Sequence, residues 1–200
     1  MRAGLFDYGA GNLHSLAKAI ARAGADVAIE TDPERAIEAD VLVLPGVGAF
    51  ASAAERLAPG LAAVRGALSE GLPCIGICLG MQLLFERSEE GPGAGIGWFA
   101  GDVTRLTARR VPQIGWNTLE PSDDRVFRRA PLDTAYFAHS FACRPNDDDD
   151  VIAWCAHESD HFPAVVRRGR VLGVQFHPEK SSEPGVRFLA ACLAEVDRCG

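Results

Sequence analysis

The sequence predicts an α/β fold: an open, mostly parallel sheet flanked by helices, with an antiparallel β extension in the second half. Three observations carry this. Short continuous apolar runs such as VLVL (Val41 to Leu44) have the pattern of strands buried on both faces. Between such runs, apolar residues recur at helical spacing, so strand and helix alternate. From Trp98 onward the alternation stops, and β-like pieces follow one another with turns between them.

GLFD (Gly4 to Asp7) reads as the first strand, and Leu13, Leu16, Ala17 and Ile20 as the apolar face of a helix that Gly24 ends from the C′ position. VAIE (Val27 to Glu30) is the second strand. Thr31 or Asp32 can then cap a short helix with Pro33 in its first turn, and VLVL follows as the third strand. Leu61, Val64 and Leu68 mark a helix ended by Gly71, and PCIGI (Pro73 to Ile77) is the next strand. This order builds right-handed crossovers and hence a parallel sheet. The second half predicts strands at Val103 to Leu106, Thr134 to Ala142, Val151 to Ala156, Ala164 to Arg167 and Val171 to Phe176, with a turn at Arg168-Gly169. Val186, Leu189, Ala190 and Leu193 give a final amphipathic helix. Gly91 to Gly97 reads as a flexible loop, and the run Asp147 to Asp150 as a solvated hairpin tip. No internal repeat is present, and residues 1–200 read as one domain.

Composition narrows the function. A chain of 200 residues that is 48% hydrophobic can bury a sizeable core. The first dozen residues carry Asp7 inside their apolar patch, which argues against a signal peptide or a spanning helix, so a cytoplasmic protein is expected. The net charge is −7, and the basic residues cluster no further than pairs such as Arg109–Arg110. Nucleic acid and anionic membranes are therefore poor partners, and small molecules or proteins better ones. The six cysteines lack CxxC spacing, so disulfides, a structural zinc site and any bound metal or cofactor are not expected.

In open α/β sheets, sites gather at the carboxyl ends of strands. There the sequence places PGVGAF (Pro45 to Phe50) after VLVL, Cys78-Leu79-Gly80 after PCIGI, and His177-Pro178-Glu179 after VLGVQF. In GICLG, Gly76 and Gly80 leave room for the tight turn of a nucleophile elbow, and a helix starting near Leu79 turns a positive dipole end toward the sulfur. Cys74, within the strand, lacks that turn. His177 and Glu179, two residues apart in an extended segment, project the same way, giving a base with an orienting carboxylate. Acyl transfer also needs oxyanion donors: the N–H of Leu79 is one, and Gly46 and Gly48 free the backbone around Val47 to present another.

Taken in order, DYGAGN, PGVGAF, GICLGMQ, IGWN, YFAHS and GVQFHPEKS closely resemble the class I, triad-type glutamine amidotransferases, and within them the glutaminase subunits of imidazole glycerol phosphate synthase. The resemblance runs from Asp7 to the serines after His177-Pro178-Glu179-Lys180. It implies that Cys78 attacks the carboxamide of glutamine, His177 moves the proton and Glu179 orients His177. It further implies that Gln82, Ser140 and Phe141 contact the substrate. Ammonia would pass to a partner cyclase, a (β/α)8 barrel bound as a heterodimer in histidine biosynthesis, with Tyr8, Asn12, Trp116, Tyr136 and Lys180 at the interface or along the ammonia path. The PGVG peptide would turn the Val47 N–H inward when partner and ligand are in place. Two residues depart from the family pattern: Gln113 where histidine is usual, and Phe141 where tyrosine is common. Glutaminases of vitamin B6, anthranilate or guanine nucleotide synthesis share the chemistry, but PGVGAF and IGWN speak against them. A non-catalytic interaction protein, or a stress protein whose elbow cysteine senses oxidants, is the reading from another class, and it leaves His177 and Glu179 without a role.

Overall fold

The computed structural model describes residues 1–9 and 13–198, so Asn12 and Cys199 lie outside the described residues. The first half alternates as β1 (Arg2–Phe6), α1 (His14–Arg22), β2 (Asp26–Glu30), α2 (Pro33–Ala36), β3 (Val41–Leu44), α3 (Phe50–Leu57), α4 (Leu61–Ser69), β4 (Cys74–Ile77) and α5 (Leu79–Leu83). Local signals set these bounds. Asp32 caps α2 by accepting a hydrogen bond from the Glu34 N–H, with Pro33 at the first helical position. Gly24 and Gly71 follow α1 and α4 with φ of 98° and 100°, the left-handed conformation that glycine adopts without strain. The second half continues as β5 (Arg87–Ser88), β6 (Gly101–Arg105), β7 (Gln113–Thr118), α6 (Arg125–Arg129), β8 (Thr134–His139), β9 (Phe141–Pro145), β10 (Val151–His157), β11 (Asp160–Arg168), β12 (Val171–Val174) and α7 (Ser182–Arg198).

The main sheet has the order β10-β11-β12-β4-β3-β1-β2. Its members from β12 to β2 run parallel, while β11 is antiparallel to both of its neighbours. Alternation along each strand divides the core in two. Val41, Val43, Ile75, Ile77, Leu172 and Val174 face one layer with α1 and α7, where Phe188, Leu189 and Leu193 pack. Leu42, Leu44 and Cys74 face the other, with Phe50, Leu57, Val64 and Leu68 of α3 and α4. Fully burying each such side chain contributes about 1.5–3 kcal/mol.

This architecture matches the predicted class, and several local expectations are corrected. The stretch Thr134 to Ala142 is two strands in different sheets, because β8 pairs with β7 while β9 pairs with β6, and the chain changes sheet at Ser140. Asp147 to Asp150 is not a hairpin tip: β9 and β10 belong to different sheets, and Asp148–Asp150 is a 3-10 turn. Asp150 there is buried and receives both Nε and an η nitrogen of Arg168. The loop at Gly91 to Gly97 is pinned by backbone hydrogen bonds from Gly95 to Glu86, Ile96 to Leu83 and Gly97 to Phe85, and Arg65 donates to its Gly95 and Ile96 carbonyls. Helices α3 and α6 and strand β7 were not expected.

Candidate active site

Strands β3, β4 and β12 lie side by side and parallel, so their carboxyl ends bring Pro45-Gly46-Val47, Cys78 and His177 to one edge of the sheet. Cys78 follows β4 directly and adopts φ 49°, ψ −106°, a conformation that costs a non-glycine residue about 1–3 kcal/mol. The two flanking glycines permit it by close approach. A Cβ on Gly76 would stand 2.5 Å from the Gly80 carbonyl oxygen, and one on Gly80 would stand 2.0 Å from that of Leu44. Helix α5 is only five residues long, so the dipole behind Cys78 is a short one. Its first N–H groups, that of Leu79 included, lie beyond the reach of intrahelical bonding.

His177 and Glu179 are brought together, though not by an extended segment. Residues Pro178–Lys180 form a 3-10 turn that His177 begins, and the turn curls the carboxylate back to the ring, with Nδ1 2.8 Å from Glu179 Oε1. Both side chains are buried. Burial alone would push the His177 pKa down. The negative Cys78 sulfur, its hydrogen bond to the ring, and Glu179 override burial and raise the pKa to about 10. Gly46 fits between the two, since a Cβ there would stand 2.9 Å from Cys78 Cβ and 3.0 Å from His177 Cε1. Gly48, with φ 102°, supplies the left-handed turn of the same loop.

A cavity of about 300 Å³ opens on Cys78, lined also by Gly46, Leu79, Gln82, Glu90, Ser140 and Phe141. The expected substrate residues therefore share one pocket, and Glu90, which the sequence did not single out, joins them. Its carboxylate accepts the Phe50 N–H at 2.7 Å and so sits at the start of α3. Gln82 is buried in the wall of this cavity, its Nε2 donating to the Phe141 carbonyl at 3.0 Å. A second cavity, of about 340 Å³, lies behind the loop and is lined by Val47, Glu179 and Lys180; Gly46 borders both. Val47 thus lines the rear cavity and not the one at Cys78.

His139 holds the strand change at Ser140. It is buried and neutral: burial pushes its pKa down to about 4, against the raising effect of its bond to the Phe141 carbonyl. Because that carbonyl only accepts, Nδ1 at 2.8 Å carries the proton. Nε2 is then an acceptor and lies 2.9 Å from Oε1 of buried Gln113; two acceptors cannot bond, so the Gln113 amide must turn over for its NH2 to satisfy the ring. The departure at Gln113 therefore sits inside the pocket wall. A histidine with a folded pKa below its free value binds fewer protons folded than unfolded, so stability falls as pH drops from about 6.5 to about 4. In urea titrations, His139→Gln should remove up to about 3 kcal/mol of that acid slope.

The expected interface residues divide. Trp116 is 54% exposed and meets half-buried Tyr136 edge to face, while Lys180 is exposed. Tyr8 is not a surface residue: it is buried against Phe6, and its hydroxyl donates to the Pro45 carbonyl. Its place is under the PGVG loop because β1 is an interior strand of the sheet. Asn12 lies outside the described residues. The remaining described cysteines are buried thiols, and burial pushes Cys74, Cys143 and Cys192 up and Cys155 to about 12. None of them is poised as a nucleophile.

A cysteine, a histidine and a glutamate set at adjacent strand ends of an open α/β sheet, beside a pocket with backbone donors, define the class of thiol-dependent amidohydrolases. Residues 4–196 match the glutamine amidotransferase class-I family. The chain is 45% identical to an imidazole glycerol phosphate synthase subunit HisH from Symbiobacterium thermophilum, over 93% of this chain and 90% of that one. It is 40% identical to the subunit of that name from Corynebacterium diphtheriae, over 92% and 94%. The chain belongs to the class-I glutamine amidotransferases, in the group of imidazole glycerol phosphate synthase HisH subunits. In fold it is similar to a chain of PurLQS from Thermotoga maritima, with TM-score 0.71 and 22% identity over 96% of this chain and 97% of that one.

Proposed function

We propose that this chain is the glutaminase of imidazole glycerol phosphate synthase in histidine biosynthesis: one cytoplasmic amidotransferase domain that hydrolyses glutamine and feeds ammonia to a cyclase subunit. The Cys78 thiolate attacks the side-chain amide carbon of glutamine, and the oxygen takes up charge between the N–H groups of Leu79 and Val47. His177, held as imidazolium by Cys78 and Glu179, gives its proton to the departing nitrogen. Ammonia leaves and a thioester remains. Water then adds, His177 takes a proton from it, and glutamate departs. Glu90, the acidic side chain of the pocket, is suited to the substrate ammonium, and the Ser140–Phe141 backbone to its carboxylate.

The observation that carries this reading is the His177–Glu179 contact beside the elbow cysteine. The cyclase is a (β/α)8 barrel docked as a heterodimer on the face where Ile114 and Trp116 are 66% and 54% exposed. Ammonia reaches it through the rear cavity past Gly46, Glu179 and Lys180, with Tyr8 beneath the loop and Tyr136 at the edge. No described helix is long and apolar enough to cross a membrane. The test is glutamate release from glutamine by the chain alone and with the cyclase subunit plus its ribotide ligand. Release that rises strongly in the liganded complex supports the assignment and an inward turn of Val47; release indifferent to the cyclase overturns both. Trp116→Ala should weaken cyclase binding at least tenfold by calorimetry.

A further inference from the structure

Gln175 follows β12, two residues before His177, and its side chain is fully buried. It is a polar residue in an apolar run, and its amide has a partner at each end. Nε2 lies 3.5 Å from the Cys78 sulfur, and Oε1 accepts from Gln82 Nε2 at 3.4 Å. The Gln82 nitrogen also donates to the Phe141 carbonyl at 3.0 Å. This chain fixes its own direction. The Phe141 carbonyl can only accept, so Gln82 turns its NH2 toward it, and the second hydrogen of that NH2 goes to Gln175. Gln175 must then offer oxygen to Gln82 and N–H to the sulfur. Reversing Gln175 would set donor against donor, and reversing Gln82 would set acceptor against acceptor.

We infer that Gln175 is a positioning residue for Cys78: its amide N–H favours the thiolate and fixes the rotamer from which the sulfur attacks, with Gln82 and the Phe141 carbonyl holding that amide in its working orientation. An N–H aimed at sulfur stabilises the charged form over the thiol. It complements the short α5, whose five residues supply little dipole. The chain of amides also ends at the pocket wall, because Phe141 and Gln82 both line the substrate cavity. The chemical half of the inference needs no substrate; its kinetic half rests on the glutaminase reading.

The experiment is alkylation of the full chain with iodoacetamide, with modification at Cys78 followed by mass spectrometry over a pH series. Gln175→Met keeps length and burial but removes the N–H. It should alkylate about tenfold more slowly at pH 7, with the deficit closing as pH rises and the thiol ionises unaided. In the cyclase complex its kcat should fall about tenfold while KM stays within twofold. A Met variant that is folded by near-UV circular dichroism and alkylates at the parent rate throughout would overturn the inference. Should it not fold, Gln175→Glu, of equal size, serves instead: it turns an oxygen to the sulfur and should slow alkylation further, and a parent rate there overturns the inference equally. A parent chain that releases no glutamate would sink the functional reading while leaving the alkylation comparison decisive.

Discussion

Cys78→Ala is expected to lower glutamate release by about 10⁴-fold or more in the cyclase complex, the scale of loss when the nucleophile of a coupled triad is removed. Cys78→Ser should fare little better, because a hydroxyl is a far weaker acid than a thiol and forms no comparable nucleophile beside His177. Folding should survive both changes, since neither adds volume at a residue that is 6% exposed. Glutamate release measured with purified complexes decides the point. Activity persisting in Cys78→Ala would move the chemistry elsewhere in the chain. The same variant should also bring the His177 pKa down, because the sulfur is the largest influence holding it up. A proton resonance of His177 titrating nearer the ordinary histidine range in Cys78→Ala would report this directly.

Gly80→Ala should be the most damaging single-methyl change in the fold. The added Cβ would lie 2.0 Å from the Leu44 carbonyl oxygen and 2.6 Å from its carbon, both backbone atoms of interior strand β3. Neither can rotate away, so α5 must shift off the sheet, at a cost of about 3 kcal/mol or more. Gly66 gives the opposite outcome from the same exchange. It is exposed within α4, nothing stands within 4 Å of its added Cβ, and Gly66→Ala should stabilise by about 0.5–1 kcal/mol through helix propensity. Urea unfolding of the two variants checks both signs; a Gly80→Ala chain within about 1 kcal/mol of the parent would show that the elbow is not packed as described.

Much of this was legible in the sequence where one physical cause dominates. Continuous apolar tetrapeptides read as interior strands, Thr31 or Asp32 before Pro33 read as a helix start, and Gly76, Cys78 and Gly80 announced a close turn. Strand β7 escaped because its large apolar residues, Ile114 and Trp116, point to solvent, which reverses the usual pattern. The split at Ser140 was hidden because β8 and β9 form one unbroken β-like stretch, divided only by partners far away in the chain. Glu90 carried no local signal, since a loop glutamate reads as surface until α3 is known to start beside it. Gln175 did carry one. An amide inside VLGVQF must find partners when buried, and asking which ones would have led to Cys78.

The left-handed backbone of Cys78 bears on how such a chain can change over generations. Position 78 is held in a conformation that glycine would adopt at lower cost, so the native residue carries a backbone strain there that its simplest replacement would not. As long as the sulfur is needed, selection maintains that handicap. In a lineage relieved of hydrolysis, drift to glycine there would be rewarded by a firmer fold, and a glycine at the elbow of a relative would mark an amidotransferase that has become a pure binding subunit.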